Sequence, residues 1–289
     1  MPLINGVSDT ARWVAMYRAI ESARPDALFR DPWAGRLGGE VGRRILENIP
    51  EGRRWGWPMV VRTAVMDEII ARETRAGVDT VVNLAAGMDM RPFRLDLPAP
   101  TRWVEIDLPE ILEEKLGIVG QEPARCRLER IAADLGRTGE RRDALARALA
   151  GATRAMIVSE GLLVYLERDQ VASLAGDLAA QPAAKLWLTD LAHPRLLEWM
   201  AKRWGKVVAE GGAPFRFGPE ENTRFFEPHG WRELEFRGAM DEARRLGREM
   251  PGAWFYRLMG LFSPPKSREV FKRFSGCVLL ERTDPAKGA

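Results

Sequence analysis

The sequence predicts an α/β fold in which helices cover a mostly parallel β-sheet. Three observations support this prediction. Short apolar runs alternate with helix-like segments along the chain, the first such run is rich in β-branched residues, and a turn of small residues follows it directly. Buried parallel strands have near-continuous apolar sequences of this kind.

The first predicted strand, Thr80–Leu84, is followed by the small residues 85–87, which end in Gly87. Small residues let the chain turn sharply and let a ligand approach the backbone. A second strand, predicted at Arg102–Asp107, ends in an acid twenty positions after Gly87. At this point of an open α/β sheet a carboxylate can accept hydrogen bonds from both hydroxyls of a ribose. The stretch therefore predicts a site for a nucleoside-containing cofactor.

Two classes of cofactor use a glycine turn with an acid on the next strand. A dinucleotide site has the pattern G-x-G-x-x-G, whose glycines cradle a pyrophosphate, as in NAD-dependent oxidoreductases. This chain has only Gly87 at the turn, and Asp89 beside it would repel phosphates. S-adenosylmethionine contains a ribose, an adenine and a sulfonium but no phosphate, so it fits this turn better.

The composition is that of a globular protein without a nucleic-acid surface. The chain has 289 residues, of which 46% are apolar and 29% charged, and its net charge is +3 without a basic block. Cys126 and Cys277 are predicted to be buried free thiols in a reducing compartment. Neither a signal peptide nor an apolar run of about 18 residues occurs, so we expect a cytoplasmic protein with no membrane partner.

Residues 1–78 are predicted to form an N-terminal helical cover that precedes the sheet. A run of good helix formers indicates a helix at residues 11–21, and the Asp31 side chain is expected to cap the next helix. A third helix, from about residue 58 to residue 75, has apolar residues at helical spacing. Arg62 lies on its first turns, where the helix dipole disfavours a cation, so either a ligand carboxylate or solvent is the expected partner.

Two more strand ends carry acids that can face the same crevice. A third strand, at about residues 126–131, precedes Asp134, which can either meet an adenine amino group or cap the following turn. The most apolar run, residues 155–159, is predicted to be the central strand. Glu160 leaves this strand at the mouth of the crevice, and Tyr165 can face the same mouth.

The C-terminal part of the chain alternates between predicted strands and helical insertions. The strands are predicted at residues 184–190, 230–236 and 275–281. The segments at about 193–224 and 239–262 lack strand alternation, and we expect them to form a helical cap. Residues 79–289 would then be one sheet-containing core with two cap insertions.

Four motifs occur in order along the chain, and with a final strand they cover most of it: TARWVAMYRAIESARPDALFRDPWA, VVNLAAGMDMRPFRL, VEIDLP and SEGLLVYL. Together they resemble the leucine carboxyl methyltransferase family, including its bacterial branch of polyketide and natural-product O-methyltransferases. The resemblance implies a class I S-adenosylmethionine-dependent methyltransferase fold. Such a fold is a Rossmann-like, mostly parallel seven-stranded sheet with a reversed last strand and helices on both faces.

The resemblance also implies which residues bind S-adenosylmethionine. The implied partners are the cofactor carboxylate for Arg62, the methionine portion for Gly87, the ribose for Asp107, the adenine for Asp134 and Leu135, and the amino group for Glu160. Arg18 would reach either the cofactor or the substrate carboxylate from the N-terminal cover. Tyr165 would lie on the substrate side.

One position departs from the family pattern. The family has L-G-A-G where this chain has Leu84-Ala85-Ala86-Gly87, so an alanine replaces the first glycine. The extra methyl group narrows the turn, and a positive φ at Ala85 would be strained. We expect the alanine to be tolerated because the other motifs are intact. The departure keeps a non-catalytic S-adenosylmethionine-binding protein open as an alternative.

Methyl transfer from a sulfonium is an in-line displacement, so the protein mainly aligns the acceptor oxygen, the methyl carbon and the sulfur. A carboxylate acceptor, whose pKa is about 4, is ionised at neutral pH and needs no base. A phenol, whose pKa is about 10, would need one. The candidate bases are Tyr165, Glu160, His193 and His229.

An anionic acceptor needs cations, and Arg12, Arg18 and Arg91 are the candidates. For Arg91, an internal salt bridge is the alternative. We therefore expect methyl transfer to a carboxylate of a small, largely apolar acid of secondary metabolism, by a monomer or homodimer without a bound metal. Phenol or hydroxyl methylation with a recruited base remains the alternative reaction.

Overall fold

The computed structural model describes residues 6–49, 51–210, 214–250 and 270–283, together with residues 4, 212, 252 and 253. Its strands are β1 (Thr80–Leu84), β2 (Arg102–Asp107), β3 (Arg127–Ala132), β4 (Ala155–Ser159), β5 (Ala184–Ala192), β6 (Trp231–Gly238) and β7 (Ser275–Arg282). They form one seven-stranded sheet in the order β3-β2-β1-β4-β5-β7-β6. Strands β1 to β5 are parallel, and β7 runs antiparallel to both β5 and β6. The predicted sheet with a reversed last strand is confirmed.

The helices cover both faces of this sheet and its carboxyl edge. They are α1 (Val7–Ser22), α2 (Ala34–Asn48), α3 (Trp57–Arg75), α4 (Arg91–Arg94), α5 (Pro109–Val119), α6 (Thr138–Leu149), α7 (Arg168–Ala179), α8 (Pro194–Glu210) and α9 (Ala239–Arg245). Short 3-10 helices occupy Arg54–Gly56, Leu163–Tyr165 and Asn222–His229. No helix in the described part of the chain is long and apolar enough to cross a membrane.

The apolar runs of the central strands are continuous because both faces of the sheet are buried. Val82 and Ile157 belong to the core on one face of the sheet, and their neighbours Val81 and Met156 belong to the core on the other. Successive side chains of a strand point to opposite faces, so only an all-apolar strand suits a sheet covered on both sides. Burying each such side chain stabilises the fold by about 1.5–3 kcal/mol.

The predicted capping role of Asp31 is wrong. Helix α2 begins at Ala34, and no side chain caps its N-terminus. The buried Asp31 carboxylate instead accepts a hydrogen bond of 2.9 Å from Nε of Arg18 on α1. A buried carboxylate is strongly disfavoured without a charged partner, and the packing of α1 against this segment provides one.

The two expected cap segments are described in part. Helix α8 and most of the segment at 193–224 are described and helical, whereas residues 211 and 213 lie outside the described residues. In the segment at 239–262, α9 is described, and residues 251 and 254–262 lie outside the described residues. The division of the chain into a cover at 1–78 and a core at 79–289 stays a prediction.

Candidate functional site

A cavity of about 1420 Å³ lies at the carboxyl edge of the sheet, beneath helices α1 and α3. Its described lining is largely apolar, with polar groups where strands β1, β2, β4 and β5 end. Ligand pockets typically enclose about 300–1,000 Å³, so this cavity has room for a cofactor and a second molecule together. Loops at the carboxyl ends of parallel strands are where α/β sheets bind ligands.

Asp107, the acid at the end of β2, lies against the glycine turn. Its Oδ2 accepts a hydrogen bond of 2.6 Å from the Gly87 N–H, and its Oδ1 accepts one of 2.8 Å from the Leu108 N–H. Burial raises the pKa of Asp107, and the two N–H groups partly oppose this shift. A carboxylate offers about four lone pairs, so each oxygen keeps the capacity for one more hydrogen bond.

Ala85 adopts a backbone conformation with positive φ, which is strained for an alanine. Its φ is 50°, in the left-handed region, and Gly87 has a φ of 46°. A left-handed conformation costs a residue with a Cβ about 1–2 kcal/mol, whereas glycine adopts it freely. The turn is therefore formed with an alanine in a position that suits glycine.

The turn is fixed from two sides by polar contacts. Nη2 of Arg18 donates a hydrogen bond of 2.5 Å to the Met88 carbonyl, so α1 holds the backbone just after Gly87. Asn83, on β1, donates a hydrogen bond of 2.9 Å to Oδ2 of Asp89. The structure thus gives Arg18 a contact with the turn itself, and its predicted contact with a ligand stays a prediction.

Arg91 lies in a buried ion-pair network. It donates from Nε to Asp67 at 2.6 Å, and from Nη1 to Asp89 at 2.8 Å and to Glu160 at 2.7 Å. Its side chain is only 2% exposed. The structure therefore places Arg91 in the internal salt bridge that was the alternative to substrate binding. Arg94 pairs with the other oxygen of Asp67 at 2.5 Å.

Arg62, on α3, bridges the ends of β4 and β5. Its Nε donates to Glu160 at 2.9 Å, and its Nη1 donates to Asp190 at 3.0 Å. Asp190 also accepts a hydrogen bond of 2.7 Å from the N–H of Gly161, which has a φ of 65°. Burial opposes ionisation of Glu160, but the charges of Arg91 and Arg62 outweigh it and lower the pKa of Glu160 to about 2.

The network as a whole carries one more negative than positive charge. Its described members are the guanidiniums of Arg62, Arg91 and Arg94 and the carboxylates of Asp67, Asp89, Glu160 and Asp190. In a low-dielectric site such charges interact strongly with any charged ligand. The carboxyl ends of β1, β4 and β5 therefore offer both carboxylates and guanidiniums to the charged groups of a ligand.

The remaining predicted residues differ in how they face the cavity. Tyr165 lines it and donates a hydrogen bond of 3.3 Å to the Thr10 hydroxyl of α1. Asp134 and Leu135 also line it, and Asp134 accepts a hydrogen bond of 2.8 Å from the Gly136 N–H. Asp134 thus does cap the following turn, which is compatible with a place at the edge of the cavity.

The prediction that Arg12 binds substrate is not supported by its position. Arg12 is absent from the described lining of the cavity, and its guanidinium pairs with Asp9 at 2.6 Å and with Glu114 on α5. Successive turns of α1 face different neighbours, so Arg18 reaches the glycine turn while Arg12 reaches α5. The ion pair of Arg12 with Glu114 therefore holds α1 against α5 of the core.

Sequence reasoning missed Asp67 and Asp190 and did not anticipate the partners of Asp89. Asp190 could have been found, because it lies within a predicted strand near its carboxyl end, where Glu160 was found by the same rule. Asp67 gave no such signal, since a single acid in the middle of a helix is usually solvated.

Comparison with known proteins assigns the chain to a recognised group. The family model described as leucine carboxyl methyltransferase matches residues 11–179. A Streptomyces avermitilis protein whose name assigns it to the S-adenosyl-L-methionine-dependent methyltransferases is 34% identical over 270 residues, or 84% of this chain and 89% of that protein. A similarly named Frankia alni protein is 38% identical over 262 residues, or 85% and 89% of the two chains.

Solved structures show the same fold at low sequence identity. A protein from Thermobifida fusca, assigned as a methyltransferase, has a TM-score of 0.62 at 15% identity over 98% of this chain and 96% of its own. A DUF574 family protein from Streptomyces avermitilis has a TM-score of 0.59 at 13% identity over 94% and 97%. The sheet order and these neighbours confirm the class I methyltransferase fold.

Proposed function

Because the chain belongs to the leucine carboxyl methyltransferase family, we propose that it transfers the methyl group of S-adenosylmethionine to a carboxylate of a small, largely apolar acid. Membership makes the chain an S-adenosylmethionine-dependent methyltransferase. The choice of a carboxylate as acceptor and of a small metabolite as substrate is the proposal. The turn at Gly87 and the charged network support the choice of cofactor. The pKa shifts of Tyr165 and Glu160 support the choice of a carboxylate as acceptor.

The charge of the donor complements the charged network. S-adenosylmethionine has a sulfonium, an ammonium and a carboxylate at neutral pH, which leave it one net positive charge. The network offers both carboxylates and guanidiniums, so it can pair with the ammonium and with the carboxylate of the donor. Asp107 has one free acceptor position on each oxygen, which suits the two hydroxyls of a ribose.

Individual roles follow from these contacts. Arg62 keeps N–H groups beyond those given to Glu160 and Asp190, and we assign them to the carboxylate of the donor. Glu160 and Asp190, which both accept hydrogen bonds from Arg62, are the acceptors for the ammonium group of the donor. Gly87 lets the methionine portion approach the backbone. The adenine is assigned to the edge of the cavity formed by Asp134 and Leu135, where an exposed carboxylate can accept from the exocyclic amino group.

One observation carries the choice of a carboxylate acceptor: none of the four side chains that the sequence offers as bases both lines the described cavity and accepts a proton readily at neutral pH. Burial raises the pKa of Tyr165, so this phenol stays protonated at neutral pH. The pKa of Glu160 is about 2, so its carboxylate is a very weak base. His193 and His229 are absent from the described lining of the cavity. A carboxylate acceptor is already ionised and needs no base, whereas a phenol does.

The test is the chemical stability of the methylated product. The protein is incubated with methyl-labelled S-adenosylmethionine and a panel of apolar acids and matched phenols, and the products are treated with mild alkali. We expect label on the acids that alkali releases, because esters hydrolyse and ethers do not. Alkali-stable label on a phenol would overturn the proposal. Binding of S-adenosylhomocysteine, followed by calorimetry with NAD as the control, checks the cofactor separately.

A further inference from the structure

Five aromatic residues form one wall of the cavity, which we call the aromatic chamber. They come from α1, from the 3-10 helix Arg54–Gly56, from the segment after β4, from α8 and from the segment after α8. The chamber consists of Trp13, Trp55, Tyr165, Trp199 and Phe215, and all five line the cavity. Segments this far apart in sequence meet here only because the cover and the cap close over the same edge of the sheet.

The rings of the chamber are arranged in pairs. The ring centroids of Trp55 and Trp199 are 5.0 Å apart with an interplanar angle of 59°, and those of Tyr165 and Phe215 are 5.9 Å apart at 30°. Ile45 and Ile49 pack behind the chamber, where both are buried. Aromatic pairs at such distances prefer offset or edge-to-face contacts, so a flat ring that lies on this wall finds both ring faces and ring edges.

The chamber adjoins the donor site at Tyr165. The hydroxyl of Tyr165 is hydrogen-bonded to Thr10, and the next residue, Ala11, lies against the turn that holds Gly87. Gly161, four residues before Tyr165, lies 3.5 Å from the guanidinium of Arg62, as measured from the position of an added Cβ. A molecule whose apolar body lies in the chamber can therefore present its other end to the donor.

The chamber itself contains no ionised side chain. A described cation beside it, Arg203, lies over the rings of Trp55 and Trp199 at 5.6 and 5.9 Å and pairs with Glu51 at 3.3 Å. A charged group of a ligand is expensive to bury in such surroundings, whereas an aromatic body is not. The charged end of an acceptor is thus directed out of the chamber, towards the sulfonium.

We propose that the aromatic chamber binds the ring system of an aryl carboxylic acid and directs its carboxylate to the methyl group of the donor. This inference rests on the proposed function and names its substrate class. A carboxylate lone pair forms the new O–CH₃ bond while the CH₃–S bond breaks. Its electron pair stays on sulfur, so the products are a neutral methyl ester and S-adenosylhomocysteine, and no proton is transferred.

The size of the cavity is consistent with this substrate class. If the donor occupies even the upper end of the usual pocket range, about 1,000 Å³, then roughly 400 Å³ of the cavity remains. That volume admits an acid with one or more rings. The pairs of rings then distinguish an aryl acid from a saturated acid of the same shape, because each aromatic partner adds affinity beyond that from burying apolar surface area.

The experiment compares 3-phenylpropanoic acid with 3-cyclohexylpropanoic acid, which differ in aromaticity but hardly in size. Binding of each acid to the complex with S-adenosylhomocysteine is measured by calorimetry, and KM is measured for alkali-labile methylation. We expect the aryl acid to bind about three- to tenfold more tightly for each aromatic partner that it contacts. Trp55→Leu and Trp199→Leu should each weaken the aryl acid by about that factor and the cyclohexyl acid much less.

Trp33→Leu is the matched control, since Trp33 packs against Phe93 and is absent from the described lining of the cavity. It should leave the preference for the aryl acid unchanged, and all three variants should bind S-adenosylhomocysteine as the wild type does. Equal binding of the two acids, or a preference that survives both chamber substitutions, would overturn the chamber proposal. Alkali-labile methylation of both acids would in that case still support the proposed function, so the two failures are distinguishable.

Discussion

The two halves of the carboxyl edge hold their charges differently. At the end of β2, Asp107 lies among backbone N–H groups, and burial raises its pKa. At the end of β4, Glu160 lies between two guanidiniums, and its pKa is lowered to about 2. The first half keeps unused acceptor capacity, which suits neutral hydroxyls. The second half is an ion-pair network, which suits the charged end of the same ligand.

The proposed function uses this difference, because one cofactor would then be held by two kinds of electrostatics within a single crevice. Hydrogen-bond acceptors would select the ribose by geometry, whereas the carboxylates of the network would pair with the ammonium of the donor. Four substitutions or conditions separate the two contributions.

The largest effect is expected in the network. Arg91→Met removes the common partner of three carboxylates and should lower the free energy of unfolding by about 3–5 kcal/mol, because Asp89 loses its ion-pair partner and Asp67 and Glu160 each lose one of two. Urea unfolding measures the change. Arg43→Met is the matched control, since the pair of Arg43 with Glu40 is 57% and 79% exposed and should contribute less than about 1 kcal/mol. Equal losses in the two variants would contradict the importance of the network.

The pH dependence of stability should have opposite signs in the two halves. The pKa of Glu160 is lower in the folded state than in the unfolded state, about 2 against about 4.3. Its stabilisation, on the order of 3 kcal/mol, is therefore complete above about pH 5 and is lost as the pH falls towards 2. The pKa of Asp107 is raised in the folded state, so its ionisation lowers stability as the pH rises through that pKa.

Urea unfolding of the wild type, Glu160→Gln and Asp107→Asn between pH 7 and pH 2 measures both contributions. The stability difference between the wild type and Glu160→Gln should shrink towards acid pH. Over the same fall in pH, the stability of the wild type should rise relative to that of Asp107→Asn. If both differences followed pH with the same sign, the contrast between the two halves would be wrong.

Donor affinity should depend on the hydrogen-bonding half. Asp107→Ala removes the acceptors assigned to the ribose and should weaken binding of S-adenosylhomocysteine by about 1.5–3 kcal/mol, the contribution of hydrogen bonds to a charged group. Calorimetric titration measures this loss, and circular dichroism checks that the fold is retained. Asp96→Ala is the control, because that side chain is 93% exposed and should leave affinity unchanged. Unchanged affinity in Asp107→Ala would refute the ribose assignment.

The smallest effect is expected at the turn itself. Ala85→Gly relieves the left-handed strain at φ 50° but adds backbone freedom to the unfolded chain, so a net gain in stability of about 0.5–1 kcal/mol is expected. Ala86→Gly is the matched control, because Ala86 has no positive φ, and it should be destabilising by a similar amount. Thermal unfolding distinguishes the two signs, and destabilisation by both substitutions would show that Ala85 is not strained.

The sequence alone could predict what depends on local pattern. The bounds of β1, β2 and β4 agree with the predicted ones, because each apolar run ends at a small or acidic residue. The sequence also predicted that Asp107 and the glycine turn belong to one site, and the two lie together because neighbouring parallel strands end at one edge of the sheet.

Contacts between distant segments could not be predicted in this way. Arg62 pairs with Asp190, which lies 128 positions away, and nothing in either local pattern identifies the other as its partner. Asp31 was misread because its local sequence suits a helix cap, whereas tertiary packing gives it the guanidinium of Arg18. The aromatic chamber likewise exists only after five separate segments have packed together.

The position of β7 has a consequence for the order in which the chain can fold. Among the described strands, β6 pairs only with β7, and β7 separates it from β5. During synthesis the N-terminal strands leave the ribosome first, so β5 is an open edge and β6 an unpaired strand until the last strand emerges. A truncation that removes residues 275–282 would therefore leave β5 as an open edge and β6 as an unpaired strand. The first observable effect would be aggregation of the nascent chain rather than loss of activity.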